Sequence, residues 1–196
     1  MNTHASLERI IEKQEIQDLC YRYARGADRL DADCWASAFW ENGTFGQPQS
    51  DEPIASYANQ LVAVMGKLFT LTHHQNGNIL IDFVDDDHAT TEVYFRAFHL
   101  TKADASPDEL RYIIGVQRFA ELSHSDGDVY DIVVGGRYLD KVERRQGVWK
   151  IKNRRLIFDY TTVHRSTTLP PSQGMAALSA GTMARDSTDP SYDYIF

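Results

Sequence analysis

The sequence predicts an α+β domain: a curved antiparallel sheet with three N-terminal helices packed on one face. Two observations carry this. Over the first part of the chain, apolar residues recur every three to five positions, the period of helices with one buried stripe. From about residue 78 the period changes to two, in segments rich in Val, Ile, Tyr, Phe and Thr.

The first helix carries Leu7, Ile10, Ile11, Ile16, Leu19, Cys20 and Tyr23 as its stripe, with Ser6 as a partial cap and Gly26 weakening its end. A second, short helix starts at Asp31 or Asp33, either a good N-cap, and carries Trp35, Phe39 and Trp40 to a turn at Glu41-Asn42-Gly43. Pro53 opens the third, which runs to about Lys67 with Ile54, Tyr57, Leu61, Val64, Met65 and Leu68 on its apolar face. Strands are expected at 78–84, 89–100, 110–122, 128–144 and 148–162. The breaks between them are turn-like: Asp85-Asp86-Asp87, Ala103 to Asp108, Ser123 to Gly127, and Arg145-Gln146-Gly147. The domain is therefore expected over 1–165. Residues 166–196, richer in Ser, Thr, Pro and Gly but closing on Tyr192, Tyr194, Ile195 and Phe196, read as an arm that packs on the domain or on a neighbouring subunit.

Composition narrows the function. Twenty Lys+Arg against 28 Asp+Glu give a net charge of −8, which argues against nucleic-acid or anionic-membrane partners. No apolar run approaches the ~20 residues of a membrane span. Two cysteines make neither a disulfide framework nor a metal cluster, and the polar N-terminus has no export signal, so a cytoplasmic protein is expected. No phosphate-binding loop, dinucleotide glycine pattern, nucleophile elbow or zinc-protease helix occurs. Chemistry must come from scattered polar residues in an apolar cavity.

Four places qualify. Tyr23 and Asp28 end the first helix, where they read either as core and cap or as a pair aimed into a cavity. Adjacent His73 and His74 precede a strand, and residues adjacent on an extended chain point to different sides; histidine suits proton transfer near neutral pH. His99 shares a strand face with Val93, Phe95 and Ala97, so it either finds a partner in the core or lines a cavity. Arg137, Arg154 and Arg155 lie on the last two strands, and any one of them inside would need a carboxylate or a ligand oxygen.

Together these residues resemble the SnoaL-like group of the nuclear transport factor 2 fold, a cone-shaped α+β barrel. Within that group the chain is similar to the branch of scytalone dehydratase, bile-acid 7α-dehydratase and hexachlorocyclohexane dehydrochlorinase. The resemblance rests on Tyr23-Ala24-Arg25-Gly26-Ala27-Asp28 with Asp31 and Trp35, and on Thr72-His73-His74 running into Asn78-Ile79-Leu80-Ile81. Gly136-Arg137-Tyr138 and Trp149-Lys150-Ile151 with Arg154-Arg155 complete it, over roughly residues 5 to 162. It implies a cofactor-independent lyase, with no metal, built on an aspartate–histidine dyad. Asp28 matches the aspartate and His74 the histidine, with His73 as the alternative register. Tyr23 and His99 match polar partners, and Arg137 a cavity arginine, with Arg155 its rival.

Elimination would follow on an aromatic or polycyclic small molecule, as dehydration or as carbon–carbon cleavage releasing a small aldehyde in aromatic compound catabolism. Trp35, Phe39, Trp40, Tyr57, Phe69, Phe95 and Phe119 are the expected pocket lining, with His73 and Arg155 as further substrate contacts. The fold also hosts steroid-type isomerases, non-catalytic ligand binders and small subunits of ring-hydroxylating oxygenases. A homo-oligomer, trimer or dimer, is expected, because Tyr130, Ile132, Val134 and Tyr138 read as an apolar outer sheet face that needs cover.

Overall fold

The structure is a computed structural model that describes residues 3–47, 50–169, 172–179 and 184–194. Helix α1 (Thr3–Asp28) leads through α2 (Ala32–Ser37) to strands β1 (Phe39–Gln47) and β2 (Ser50–Pro53), then to α3 (Ile54–Leu68). Strand β3 (Phe69–Phe83) and β4 (His88–Thr101) form a long hairpin. Two short helices, α4 (Pro107–Ile114) and α5 (Val116–Glu121), precede a second hairpin, β5 (Tyr130–Arg145) and β6 (Val148–Arg165). Six strands form one sheet in the order β2-β1-β6-β5-β4-β3. All pairings are antiparallel except β1 against β6, which is parallel. The expected α+β class is what the chain adopts.

The N-terminal helices close the inner face of the sheet. Ile16, Leu19, Cys20, Tyr23 and Ala27 of α1 are buried, and Asp31 caps α2 by accepting from the Cys34 amide at 2.8 Å. Leu7, Ile10 and Ile11, expected in the same buried stripe, remain more than half exposed because they lie on the solvent side of α1, while Arg9 and Glu12 of the same turns face the hairpins and bond Asp86 and Arg144. A second apolar cluster joins α3 to α4 and α5 through Met65, Leu68, Leu110, Ile114 and Phe119.

Three expectations are corrected. Residues 110–122 are helical, not a strand. Ser106 and Glu109 form a reciprocal capping box, Pro107 sits in the first turn, Leu110 and Ile114 are buried four residues apart in α4, and Phe119 is buried in α5. Phe39 and Trp40 belong to a strand rather than to α2, and β1 passes straight through the expected turn at 41–43. Its register against β6 slips between Phe39 and Thr44, and this irregularity hides the strand period. Finally, Tyr130, Ile132 and Tyr138 face inward and are almost fully buried; they are core, not an outer patch.

Candidate functional site

Strand β3 begins at Phe69, so the His73-His74 run lies within a strand rather than in a loop before it. Its period of two sends Thr72, His74 and Asn76 inward against α1 and leaves His73 exposed on the other face. Each inward residue meets the helix. Asn76 donates through Nδ2 to the carbonyl of Cys20 at 3.0 Å. Thr72 Oγ1 donates to Asp28 Oδ1 at 2.9 Å, and the His74 amide donates to Oδ2 at 2.9 Å. The ring of His74 places Nδ1 2.7 Å from Asp28 Oδ1.

The dyad is nearly sealed from water, with side-chain exposures of 12% for Asp28 and 10% for His74. Burial alone would raise the carboxyl pKa. The hydrogen bond and charge of His74, its amide and the Thr72 hydroxyl outweigh burial and hold Asp28 below its ordinary value. A carboxylate so saturated is a poor base and a good orienting group. With Nδ1–H donated to Asp28, His74 presents Nε2 as the basic nitrogen.

His99 comes from β4, directly across from Thr72 in the ladder. Its ring stands edge-on to His74, with centroids 5.5 Å apart, and packs on Phe69 at 4.8 Å. Burial first, and then the neighbouring His74, push its pKa down to about 3, so the ring is neutral. Its Nδ1 is buried without a hydrogen-bond partner among the described residues. Tyr23 lies one and a half turns up α1, between Trp35 at 5.1 Å and Tyr138 at 5.1 Å. Burial, with Tyr138 beside it, drives the Tyr23 phenol pKa well up.

The arginines sort differently from the sequence expectation. Arg137 does not reach the interior beside the dyad: it lies on the outer face, paired with Asp159 at 3.1 Å and Glu92 at 3.2 Å. Arg155 is half exposed and lies 3.4 Å from Asp51. The buried cation is Arg154. A register slip on β6 between its pairings with Lys141 and Val142 puts Arg154 on the same side as Ile151. Its Nε and Nη2 bind Asp140 at 2.8 and 2.7 Å, and Thr91 completes that carboxylate at 2.9 Å. The guanidinium is sandwiched between Tyr23 and Tyr138, 4.4 and 4.3 Å from the ring centroids, and its buried Nη1 has no hydrogen-bond partner among the described residues. Burial opposes this charge, but the Asp140 carboxylate outweighs it and keeps Arg154 protonated.

Of the expected lining, Trp35, Tyr57 and Phe95 gather in the apolar interior. Tyr57 stacks on Phe45 at 4.7 Å and Phe95 on Tyr138 at 4.4 Å. Phe69 lies against His99, and Phe119 joins the cluster under α4 and α5. Trp40 and His73 do not belong to this interior. Trp40 donates to the Glu143 carbonyl at 3.0 Å beneath Arg145, and His73 points outward. Two grooves, of about 340 and 540 Å³, lie on the sheet around Leu80, Thr90 and Lys141 and around Gln75, Gly77 and Tyr94; Asp28, His74 and His99 line neither.

One residue at the site carries no sequence signal. Arg185, from the C-terminal segment, donates through Nε to the Asp28 carbonyl at 3.1 Å, through Nη1 to the Phe69 carbonyl at 2.7 Å, and through Nη2 to Thr72 Oγ1 at 2.9 Å. Among the described residues, no group of three or more His, Cys, Asp or Glu could hold a metal ion, and no helix is long and apolar enough to cross a membrane.

A six-stranded curved sheet closed by N-terminal helices, with an aspartate–histidine pair between helix and sheet, defines a class of small α+β proteins. The chain belongs to the SnoaL-like domain family, whose match spans residues 8–155. Solved structures share the fold. A hexachlorocyclohexane dehydrochlorinase, LinA type 3, from Novosphingobium barchaimii is 20% identical, with 85% of this chain and 99% of that one covered at a TM-score of 0.65. A protein named as a scytalone dehydratase, from Novosphingobium aromaticivorans, is 22% identical, with 85% and 97% covered at a TM-score of 0.60. A cystatin-like protein from Nostoc punctiforme is 17% identical over 76% and 92% at a TM-score of 0.53. No curated protein matches the chain.

Proposed function

We propose that the chain is a cofactor-independent lyase that removes a proton and expels a leaving group from a hydrophobic, aromatic or polycyclic small molecule. The observation that carries this is the 2.7 Å contact between His74 Nδ1 and Asp28, completed by two further donors to the same carboxylate. Asp28 holds the imidazole in one tautomer and stabilises it once protonated, while Nε2 takes the proton from carbon or from a hydroxyl. In dehydration the proton comes from carbon, the C–H pair forms the new double bond as the carbon–oxygen bond breaks, and the hydroxyl leaves with that proton as water. In cleavage the proton comes from a hydroxyl on the departing carbon, the O–H pair forms the carbonyl of the small aldehyde, and the pair of the broken carbon–carbon bond stays on the other fragment, which takes the proton back from His74.

His99 is suited to orient a substrate hydroxyl, because its neutral ring offers an unpartnered nitrogen beside His74. Tyr23 contributes a neutral phenol on the same helix as Asp28. Arg137 has no part in this chemistry. Dehydrochlorinase and dehydratase names among proteins of the same fold agree with an elimination. A steroid-type isomerase would need Asp28 itself as the base, and its saturation by three donors argues against that role. A small oxygenase subunit would co-purify with a large chain, which this reading does not require.

The test is a substrate panel of aromatic and polycyclic alcohols assayed with Asp28→Asn and His74→Ala. General acid–base help is worth about 10²–10⁴-fold, so each variant should lose at least tenfold in kcat. The double variant should be little worse than either single one, because the pair acts as a unit. A single variant that keeps more than about a tenth of kcat removes the dyad from the mechanism.

A further inference from the structure

The C-terminal segment approaches the dyad by a defined route. Tyr192 donates its hydroxyl to Asp31 Oδ2 at 2.8 Å and lies under the Arg25 guanidinium, which also bonds Ser191 at 3.0 Å. Asp189 caps the short 3₁₀ helix at Pro190–Tyr192 and pairs with Arg29 at 3.3 Å. These contacts fix residues 189–192 on the end of α1, and Arg185 then reaches inward.

A threonine hydroxyl has one proton to give and two lone pairs to receive. Arg185 Nη2 donates to Thr72 Oγ1, so that oxygen is engaged as an acceptor and its single proton goes to Asp28 Oδ1. That same Oδ1 receives His74 Nδ1. The chain of donors therefore runs from Arg185 through Thr72 to Asp28 Oδ1, where the imidazole of His74 arrives as a second donor. Arg185 Nε and Nη1 meanwhile bind the carbonyls of Asp28 and Phe69, which ties the end of α1 to the start of β3, the two backbones that carry the dyad. A planar guanidinium can serve these three acceptors at once; a lysine ammonium has no such fork.

We infer that Arg185 is a positioning residue of the Asp28–His74 dyad, supplied in cis by the C-terminal segment and acting through Thr72. This rests on the elimination chemistry proposed above only for its catalytic consequence; the geometry stands without it. The charged or titratable groups around Arg185 are Asp28 at the end of α1, Arg29 just after it and His99 from β4, with His74 bonded to the same Asp28 oxygen that Thr72 serves. Burial works against the Arg185 charge and Asp28 supports it. Removing this cation, and with it the commitment of the Thr72 proton, leaves the Asp28 carboxylate less stabilised.

The experiment follows the Asp28 side-chain carbon by NMR across an acid titration of the full chain, in wild type, Arg185→Ala, Arg185→Lys and Thr72→Val. Arg185→Ala and Thr72→Val should each raise the Asp28 midpoint by about half to one pH unit. Arg185→Lys, which keeps charge but loses the fork, should fall between wild type and Arg185→Ala. The combination of Arg185→Ala with Thr72→Val should shift little further than the larger single change, because both cut one chain. Thr72→Val leaves the segment's contacts with α1 in place, so a general loosening of the fold would not reproduce its shift. An Asp28 midpoint unchanged in folded Arg185→Ala overturns the inference, as do strictly additive shifts. If the shifts appear but Asp28→Asn leaves turnover intact, the lyase reading fails and the positioning role stands. If Asp28→Asn abolishes turnover and Arg185→Ala leaves the midpoint unmoved, the reverse holds.

Discussion

Asp28 has two oxygens and three donors, and this saturation decides what the residue can do. It cannot be both a well-bound orienting group and a strong base, so proton abstraction falls to His74. The same neighbourhood sets an acid sensitivity. The pKa of His99 is depressed to about 3 by burial, well below its ordinary value near 6.5. The unfolded chain therefore binds a proton there that the folded chain does not, at every pH between those two values. The associated stability is complete above about pH 6.5 and is lost progressively as pH falls toward 3. Asp28, also held low, loses its contribution in the acid range. Urea unfolding followed from pH 7 to 4 should show stability falling by a few kcal/mol, and His99→Gln should flatten that slope. An identical slope in the variant would show that His99 is not the group responsible. This pair of histidines was legible in the sequence, because a run of two near a strand must send one to each side. Which arginine is buried was not legible. Period-two counting from Trp149 assigns Arg155 to the inner face, and only the slip in β6 exchanges it for Arg154.

At the scale of elements, β5 and β6 are organised around that buried pair. Arg154 and Asp140 face each other across the ladder and are both almost without exposure. Asp140→Asn would leave a guanidinium in the core with no carboxylate, a change expected to cost about 3–5 kcal/mol in denaturant unfolding. A loss under 1 kcal/mol would mean that the Tyr23 and Tyr138 rings alone suffice to hold the charge. Helix α4 makes a smaller and sharper case. Its start, Ser106-Pro107-Asp108-Glu109, is a capping box readable from the sequence, yet the Val- and Phe-containing segment after it matches a strand composition. The cap prevails because two otherwise orphaned amides are satisfied reciprocally at once. Ser106→Ala should cost about 1 kcal/mol, measured by the same unfolding experiment; no effect would imply that tertiary burial of Leu110 and Ile114 alone fixes the helix. The β1 error has the opposite origin. Turn residues Glu41-Asn42-Gly43 are present, but β6 supplies a parallel partner from more than a hundred positions away, and no local pattern announces that.

At the scale of the molecule, the sheet class and the helix-covered face follow directly from period and composition, whereas assembly does not. The inward turn of Tyr130, Ile132 and Tyr138 removes the surface from which an oligomer was expected. What the outer face and the solvent side of α1 leave exposed instead are Tyr94, Phe158 and Tyr160 on the sheet and Leu7, Ile10 and Ile11 on α1. A homo-oligomer remains the proposal, and sedimentation at micromolar concentration should give a dimer or trimer mass; a monomer would dismiss it. The C-terminal segment gives the most direct whole-chain test. Residues 184–192 reach both the end of α1 and the dyad, through contacts of Arg25, Arg29, Asp31 and Thr72 with Ser191, Asp189, Tyr192 and Arg185. None of these is needed to bury the sheet's inner face, whose core is drawn from α1 to β6. Deleting residues 167–196 should therefore leave a cooperative fold by circular dichroism and thermal melting. It should also remove the Arg185 contacts with Thr72 and the Asp28 carbonyl and so open the dyad to water. Loss of ligand binding or turnover with the fold retained is the expected result. A truncated protein with unchanged kcat/KM and unchanged mass would show that the segment neither shields the site nor joins subunits.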